Sequence, residues 1–435
     1  MTTRSFVIVG AGLAGASAAA ALRKRGSDGR IVVIGAESHL PYERPSLSKD
    51  YLRGGSDRSA LLARSDSFYR DNAIDVRTSV AATDIVPRER VVVLTDGSRV
   101  PYDRLLLSTG AAPRRLAVPG GDLPGIHHLR TIEDADSIRA AAATAGYAVV
   151  VGGGWIGAEV AASLRQLGHR VTLVAPTSVP LERVLGPEVG AVYRDLHVRH
   201  GVELAMGRRI RAVGGRRRVE AVELDDGSRL EADLVVVGIG AVPRMQIAAR
   251  AGLAVGDGIE VDETLETSVP GIFAAGDAAS AWHPAFGRRI RVEHWDNAKR
   301  QGAAAAAGML GEREPYARVP YFFSDQFDLS MEYAGHAPAW NRVVFRGHPA
   351  SGIFVAFWLN RGRLLAGMNA NVEGASKAIS ALVASRRPVA VDRLVDQCVP
   401  LDDIDALTVQ SAVARRRWWK DDSKSRIVRD RTAWE

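Results

Sequence analysis

Two stretches of this chain repeat one order of apolar, small and polar positions. In the first, the apolar run FVIV at residues 6–9 meets Gly10-Ala11-Gly12-Leu13-Ala14-Gly15 at once. Helix formers fill residues 16–25, and a second apolar run follows at 31–34. In the second, an apolar run at 148–151 meets Gly152-Gly153-Gly154-Trp155-Ile156-Gly157. Helix formers then fill 158–166, and the next apolar run is 171–174. Short apolar runs rich in β-branched residues and bounded by glycine predict strands buried on both faces. Each stretch predicts strand, tight turn, helix, strand, and the recurrence predicts two copies of one unit.

Elsewhere the pattern predicts simpler elements. Residues 105–107 and 234–237 read as buried strands, ending in the similar turns STGAAPR and GIGAVPR. Asp96-Gly97 and Asp226-Gly227, each between apolar runs, predict hairpins. Two prolines, Pro41 and Pro45, predict a loop that enters a helix near residues 46–52. The run at 271–278, GIFAAGDA, predicts a short strand and then a helix start at Asp277, which could act as its N-cap. The alanine-rich stretch 298–310 predicts a helix packed closely against a neighbour. From about Pro320 the style changes. Residues 321–323, 342–345, 353–357 and 364–368 predict antiparallel strands and 372–385 a helix, making a small α+β domain. Beyond Ala412 the chain is a charged tail containing Arg415, Arg416, Arg417, Trp418 and Trp419.

The glycine spacing carries chemistry. In GxGxxG the first glycine allows the tight turn, the second lets the backbone approach a pyrophosphate, and the third lets helix and strand pack closely. Gly10, Gly12 and Gly15 fill these places, with Glu37 just past the second strand to hold ribose hydroxyls. Gly152, Gly154 and Gly157 fill them again. The second unit has Ala175-Pro176-Thr177 where the first has Glu37, so a ribose-gripping acid is missing there. Thr177, Ser178 and Arg183 are candidates to meet a phosphate instead. Glu159 lies in the first turn of the second helix, where the helix dipole alone favours an acid.

Composition narrows the setting. The chain has 435 residues, with 57 Lys+Arg against 50 Asp+Glu, a net charge of +7. That surplus fits an acidic partner, and no nucleic-acid motif accompanies it. No apolar run reaches the roughly 18 residues of a membrane span. No secretory signal pattern opens the chain. Cys398 is the single cysteine, which rules out an internal disulfide, a redox dithiol and a cysteine-held cluster. No metal site is expected, and a reducing, cytoplasmic setting is.

The motifs GAGLAG, Tyr42-Glu43-Arg44-Pro45 with Leu47-Ser48-Lys49, STGAAPR, GGGWIGAE, GIGAVPR, GIFAAGDAA, VEHWDNAKRQG and FFSDQFDL occur in this order. Over residues 5–405 the chain resembles the FAD-dependent NAD(P)H:ferredoxin reductases of the putidaredoxin, rubredoxin and biphenyl-dioxygenase type. The resemblance implies a glutathione-reductase-like α/β fold with two Rossmann-like domains, one split and one inserted, plus a C-terminal α+β interface domain. It implies FAD on residues 1–110 and 238–318, NADH or NADPH on 111–237, the interface domain at 319–410 and a tail at 411–435.

Site roles follow from the same resemblance. Gly10, Gly12, Gly15 and Glu37 would hold FAD, Arg44 and Lys49 would lie near its isoalloxazine, and Asp277 would bond its ribityl chain. The backbone near His294 and Trp295 would meet the ring. Gly152, Gly154 and Gly157 would hold the nicotinamide cofactor, with Trp155 as its gate. Lys49 and Glu159 would face each other beside the flavin as the catalytic pair. Arg114, Ile156, Gly240, Gly276, Glu293 and Phe323 complete the expected cofactor-binding set. Phe323 stands where the family usually carries tryptophan. The implied partner is a [2Fe–2S] ferredoxin serving a P450 or ring-hydroxylating oxygenase. Two other readings remain: a direct NADH oxidase or diaphorase on the same fold, though residues 42–49 hold no redox cysteine, and a flavoprotein scaffold resembling apoptosis-inducing factor.

Overall fold

The structure, a computed structural model, describes residues 4–404. The chain parts into two compact units, the second beginning at Met331. The first unit contains two parallel five-stranded sheets. One has the order Ile272–Ala274, Arg104–Leu107, Ser5–Val9, Arg30–Ile34, Ile74–Arg77. The other has the order Glu203–Met206, Arg170–Ala175, Tyr147–Val151, Leu234–Val237, Ile126–His128. In each, the strand leading into the glycine turn lies at the centre. Val9 pairs with Ile34 on one side and Leu107 on the other, and Val151 pairs with Val174 and Val237 in the same way. Crossovers leave the central strand in opposite directions, so a crevice opens at its C-terminal end, where ligands of such sheets bind.

The helices Leu13–Lys24 and Trp155–Gln166 extend the expected 16–25 and 158–166 back to the glycine turns, which puts Glu159 beyond the first turn of its helix rather than in it. The alanine-rich helix, expected at 298–310, runs Trp295–Leu310 and lies against Leu13–Lys24. A Cβ at Gly302 would come 2.2 Å from the Ala14 carbonyl oxygen, so small residues set this approach. The chain leaves the first sheet through Ala111–Pro113 and returns through Ala241–Pro243. These two strands pair antiparallel, which accounts for the similar turns before them. Both expected hairpins are present, and each gains a third strand, Ala82–Val86 and Ile210–Gly214.

Two local expectations are corrected. No helix starts at Asp277. One 3₁₀ turn, Gly276–Ala278, leads into the strand Ala279–His283, because Ala279–Ala281 finds a parallel partner in Ile259–Val261. The segment at 46–52 is not one helix. A 3₁₀ turn, Pro45–Ser48, and a short helix, Asp50–Arg53, are separated at Lys49, whose φ −125° and ψ −114° are not helical.

In the second unit, Met331–Gly335 pairs with Ala366–Ala370. That strand pairs in turn with Ile353–Asn360, and Arg342–His348 flanks it. The strand Leu329–Gly335 escaped the sequence reading, although its burial alternates at the start. The helix Ala375–Ser385 begins after Gly374, later than expected, and sets Ile379 over Gly367. The tail, including Arg415, Arg416, Arg417, Trp418 and Trp419, lies outside the described residues. No described helix is long and apolar enough to cross a membrane, and no cluster of metal-ligating side chains occurs among the described residues.

Candidate functional site

The two glycine turns match atom for atom in what they exclude. At Gly10 the backbone is left-handed, φ +115°, and a Cβ would come 2.1 Å from the Ser108 carbonyl oxygen. At Gly152 φ is +114° and the same atom would come 2.3 Å from the Gly238 carbonyl oxygen. A Cβ at Gly15 or Gly157 would press into the carbonyl of Gly10 or Gly152. Gly12 and Gly154 are different. Both are extended, both precede a helix that no side chain caps, and neither has any atom within 4 Å of a built Cβ. Each turn therefore leaves open space at an uncapped helix N-terminus. That is the shape and polarity a pyrophosphate requires, so the residues present fit two dinucleotides.

Beside the first turn lies a polar chain. The Glu37 carboxylate accepts from the Tyr42 hydroxyl at 2.5 Å and from Arg44 at 2.7 Å. Arg44 also donates to the Tyr42 oxygen and to the Arg130 carbonyl. Arg130 reaches Asp277 at 2.5 Å. Gly276 is held by the Gln301 side chain, 2.9 Å from its N–H. Burial, aided by Glu37, pushes the Tyr42 phenol well above its usual range, so it stays a donor. Arg44 is thus placed with Glu37, and Asp277 with Arg130. Tyr42 and Arg130 escaped the sequence reading. Arg130's one signal is its place before Thr131, which begins a capping box.

Lys49 lies in a separate cluster. Its Nζ is 2.8 Å from Glu159 Oε2 and donates to the Pro45 carbonyl at 3.1 Å. Residue exposure is 8% for Lys49 and 5% for Glu159, so this ion pair is buried. The irregular backbone at Lys49 is what turns its side chain inward. The Ser48 hydroxyl donates to Glu159 Oε2, and the Ser324 hydroxyl to Oε1 at 2.7 Å. The Glu159 carboxylate therefore takes donors on both oxygens, which offsets the cost of its burial. Both serines sit inside the motifs quoted above, next to named residues, and neither was singled out.

Aromatic rings surround this pair. Lys49 Nζ is 5.8 Å from the Phe323 ring centroid. His294 stands edge-on to Phe323 at 5.5 Å and caps the helix Trp295–Leu310, accepting from the Asp296 N–H. Trp155 packs edge-to-face on Phe322 at 5.0 Å and on Tyr193 at 6.1 Å. Burial pushes the His294 imidazole down to about 4, so the ring is neutral at neutral pH. The buried Trp295 indole N–H has no partner among the described residues, as expected of a group awaiting a ligand.

The remaining positions divide. Ile156 is exposed beside Trp155. Arg114 and Gly240 meet at the crossing strands, where the Arg114 N–H donates to the Gly240 carbonyl at 2.9 Å. Glu293 is exposed and paired with Arg291. Ala175 is buried against Gly153. The Gly10 N–H bonds Ile34 and the Gly152 N–H bonds Val174, so Ala175 corresponds to Gly35 and Thr177 to Glu37. The Thr177 hydroxyl donates to Val179, and the Ser178 hydroxyl to Glu182. Both hydroxyls are thus engaged within the loop, and Arg183 is exposed.

The model of the family described as pyridine nucleotide-disulphide oxidoreductase matches residues 4–302, and a model described as reductase C-terminal matches 321–404. The ferredoxin–NAD(+) reductase component of the anthranilate 1,2-dioxygenase system of Burkholderia cepacia is 39% identical over 405 residues. The alignment covers 92% of this chain and 99% of that protein. Putidaredoxin reductase of Pseudomonas putida is 36% identical, over 92% of this chain and 97% of its own length. Among solved structures, the covalent putidaredoxin reductase–putidaredoxin complex superposes with a TM-score of 0.89 at 35% identity, over 93% of this chain and 98% of that one. The ferredoxin reductase of the CYP199A2 system from Rhodopseudomonas palustris gives a TM-score of 0.89 at 36% identity, over 92% and 99%.

Proposed function

The chain belongs to the pyridine nucleotide-disulphide oxidoreductase family, and on that premise we infer that it is a FAD-dependent reductase carrying electrons from NAD(P)H to a [2Fe–2S] ferredoxin, which serves a P450 or ring-hydroxylating oxygenase. The observation that carries this reading is the buried Lys49–Glu159 pair. It joins the loop after the first glycine turn to the helix of the second, so two dinucleotides bound on the two turns converge on one spot.

When bound, FAD would supply the redox chemistry, two-electron exchange with a nicotinamide and one-electron exchange with an iron–sulfur partner. The chain supplies placement. Gly10, Gly12 and Gly15 hold the FAD pyrophosphate, and Glu37, kept in orientation by Tyr42 and Arg44, holds the ribose. Asp277, ion-paired with Arg130, meets the ribityl chain together with Gly276. Gly152, Gly154 and Gly157 hold the nicotinamide cofactor, with Ile156 at its edge. Lys49 places a cation beside the flavin, and Glu159 keeps that cation aimed. Trp155, braced by Phe322 and Tyr193, closes the nicotinamide side, while Phe323, His294 and Trp295 line the ring and exclude water. Arg114 and Gly240 flank the paired strands Ala111–Pro113 and Ala241–Pro243, which join the two dinucleotide domains, 111–237 set within 1–110 and 238–318. Residues 319–410 form the interface domain. Cys398 is exposed and far along the chain, so no thiol accompanies the loop after the first turn. A cytoplasmic location fits this single free thiol.

Assay of the purified protein with NADH or NADPH tests the function, with a [2Fe–2S] ferredoxin as acceptor under anaerobic conditions and with oxygen as sole acceptor in air-saturated buffer. Ferredoxin reduction at a rate far above oxygen consumption is expected. Turnover to oxygen at the same rate as to ferredoxin would favour the oxidase reading.

A further inference from the structure

Behind Glu159 runs a line of buried polar side chains that the reaction described so far does not use. Ser324 Oγ, which donates to Glu159 Oε1 at 2.7 Å, accepts from Gln326 Nε2 at 3.2 Å. Gln326 Oε1 lies 2.9 Å from His197 Nε2. Ser324, Gln326 and His197 are each at most 1% exposed. The amide nitrogen of Gln326 faces Ser324, so its oxygen faces His197, and His197 must carry its proton on Nε2. Three donors then point one way: His197 to Gln326, Gln326 to Ser324, Ser324 to Glu159. Hydrogen bonds aligned in this sense polarise one another and tighten the last link.

The far end is built as firmly as the near one. His197 Nδ1 is buried with no partner among the described residues, and burial pushes the imidazole below its usual pKa, so the ring is neutral. The Phe327 ring covers it, 5.4 Å away and edge-on, and stacks on His200 at 4.1 Å on its other face. Phe327 has φ +55° in the two-residue turn between the neighbouring strands Tyr321–Gln326 and Leu329–Gly335, where a tight hairpin calls for positive φ. His200 is in turn 3.0 Å from Asp328.

We propose that His197 is a positioning residue for hydride transfer: through Gln326 and Ser324 it fixes the Glu159 carboxylate, and with it the Lys49 ammonium. The proposal rests on the reading of Lys49 and Glu159 as the pair beside the flavin. Misplacing such a group by a fraction of an ångström slows the reaction without weakening cofactor binding.

The test uses the FAD-loaded enzyme and reads flavin reduction by NADH in anaerobic stopped flow, the flavin midpoint potential and the melting temperature. His197→Leu is expected to slow flavin reduction about tenfold at an unchanged apparent Kd for NADH. Its midpoint potential moves in the same direction as that of Lys49→Met, and by less. His197→Gln, which restores an N–H near the Nε2 position, returns the rate to within about twofold of the parent. Ser324→Ala, which cuts the line nearer the site, reproduces the slowing, and adding His197→Leu to it slows the reaction no further. This second variant carries the test if His197→Leu does not fold. A His197→Leu protein that melts lower but keeps the parent rate and potential overturns the proposal, as does full additivity with Ser324→Ala. If Lys49→Met itself changes neither rate nor potential, the reading of the pair fails; if Lys49→Met does and neither line variant does, only the present proposal fails.

Discussion

Lys49 and Glu159 meet at 2.8 Å although Lys49 lies in the loop that follows the first glycine turn and Glu159 on the helix that follows the second. Breaking a buried pair by removing one partner is costly, about 3–5 kcal/mol where the remaining charge stays dry. The loss from Lys49→Met and Glu159→Gln together should therefore fall short of the sum of the two singles by at least about 1 kcal/mol in hydride-transfer barrier. Stopped-flow reduction of the flavin in the two single variants and the double variant measures this. Strict additivity would mean that the two groups do not act as a pair.

Gly12 and Gly154 should tolerate a methyl group in the fold and not in the ligand. Both are extended and have open space where a Cβ would go. Gly12→Ala is expected to fold with little change in melting temperature of the FAD-free protein and to lose most of its FAD. Gly154→Ala should keep FAD and raise the KM for NAD(P)H about tenfold, the cost of roughly 1.4 kcal/mol of pyrophosphate contact. Gly302→Val is the contrast. Its side chain would drive two packed helices apart at Ala14, and the whole protein should be destabilised by several kcal/mol. Thermal denaturation and flavin content separate the three.

Weak discrimination between NADH and NADPH is expected, with NADH modestly preferred, because no carboxylate stands at Ala175 or Thr177. Ala175 is buried against Gly153 and aligns with Gly35, so the acid belongs at the position that aligns with Glu37: Thr177→Glu should raise the NADH-to-NADPH ratio of kcat/KM about tenfold by repelling the 2′-phosphate. A parent enzyme that uses NADPH alone, or a ratio that the substitution leaves unmoved, would contradict this.

His294 makes the FAD-free protein acid-sensitive in a definite window. Its imidazole is pushed down to about 4 in the fold and titrates near 6.5 when unfolded. Between those values the unfolded state binds more protons, so stability falls as pH drops from about 6.5 towards 4, by an amount on the order of 3 kcal/mol. His294→Asn should flatten that part of the profile. Urea denaturation at a series of pH values, compared between the two proteins, gives the difference free of the carboxylates that titrate in both. Parallel profiles would show that His294 is no more buried than an unfolded histidine.

Opposite net charge should speed the encounter with ferredoxin. The chain carries a surplus of seven cations, and salt screens such attraction over roughly 8–10 Å at physiological strength. The kcat/KM for an acidic ferredoxin should fall steeply with added salt, while reduction of a small neutral quinone barely changes. Equal salt sensitivity for both acceptors would count against electrostatic docking.

Local order was legible in the sequence because it depends on neighbours. Strand, turn and helix at each glycine motif follow from residues close along the chain, and so do the positions of Gly10, Gly12, Gly15 and their counterparts. The absence of a carboxylate at Ala175 was equally plain. What the sequence could not decide was which partner a side chain would choose across the fold. Asp277 looked like a helix cap because glycine, acid and small residues precede many helices; the strand at Ile259–Val261 was free to claim the next residues instead. Arg44 and Lys49, five residues apart, looked like one basic group, yet a non-helical turn at Lys49 sends one to Glu37 and the other to Glu159. Ser324, Gln326 and His197 have no pattern of their own, since a hydrogen-bonded line has no period in sequence. Only packing, which withdraws these groups from water and so obliges each to find a partner, brings them together behind Glu159.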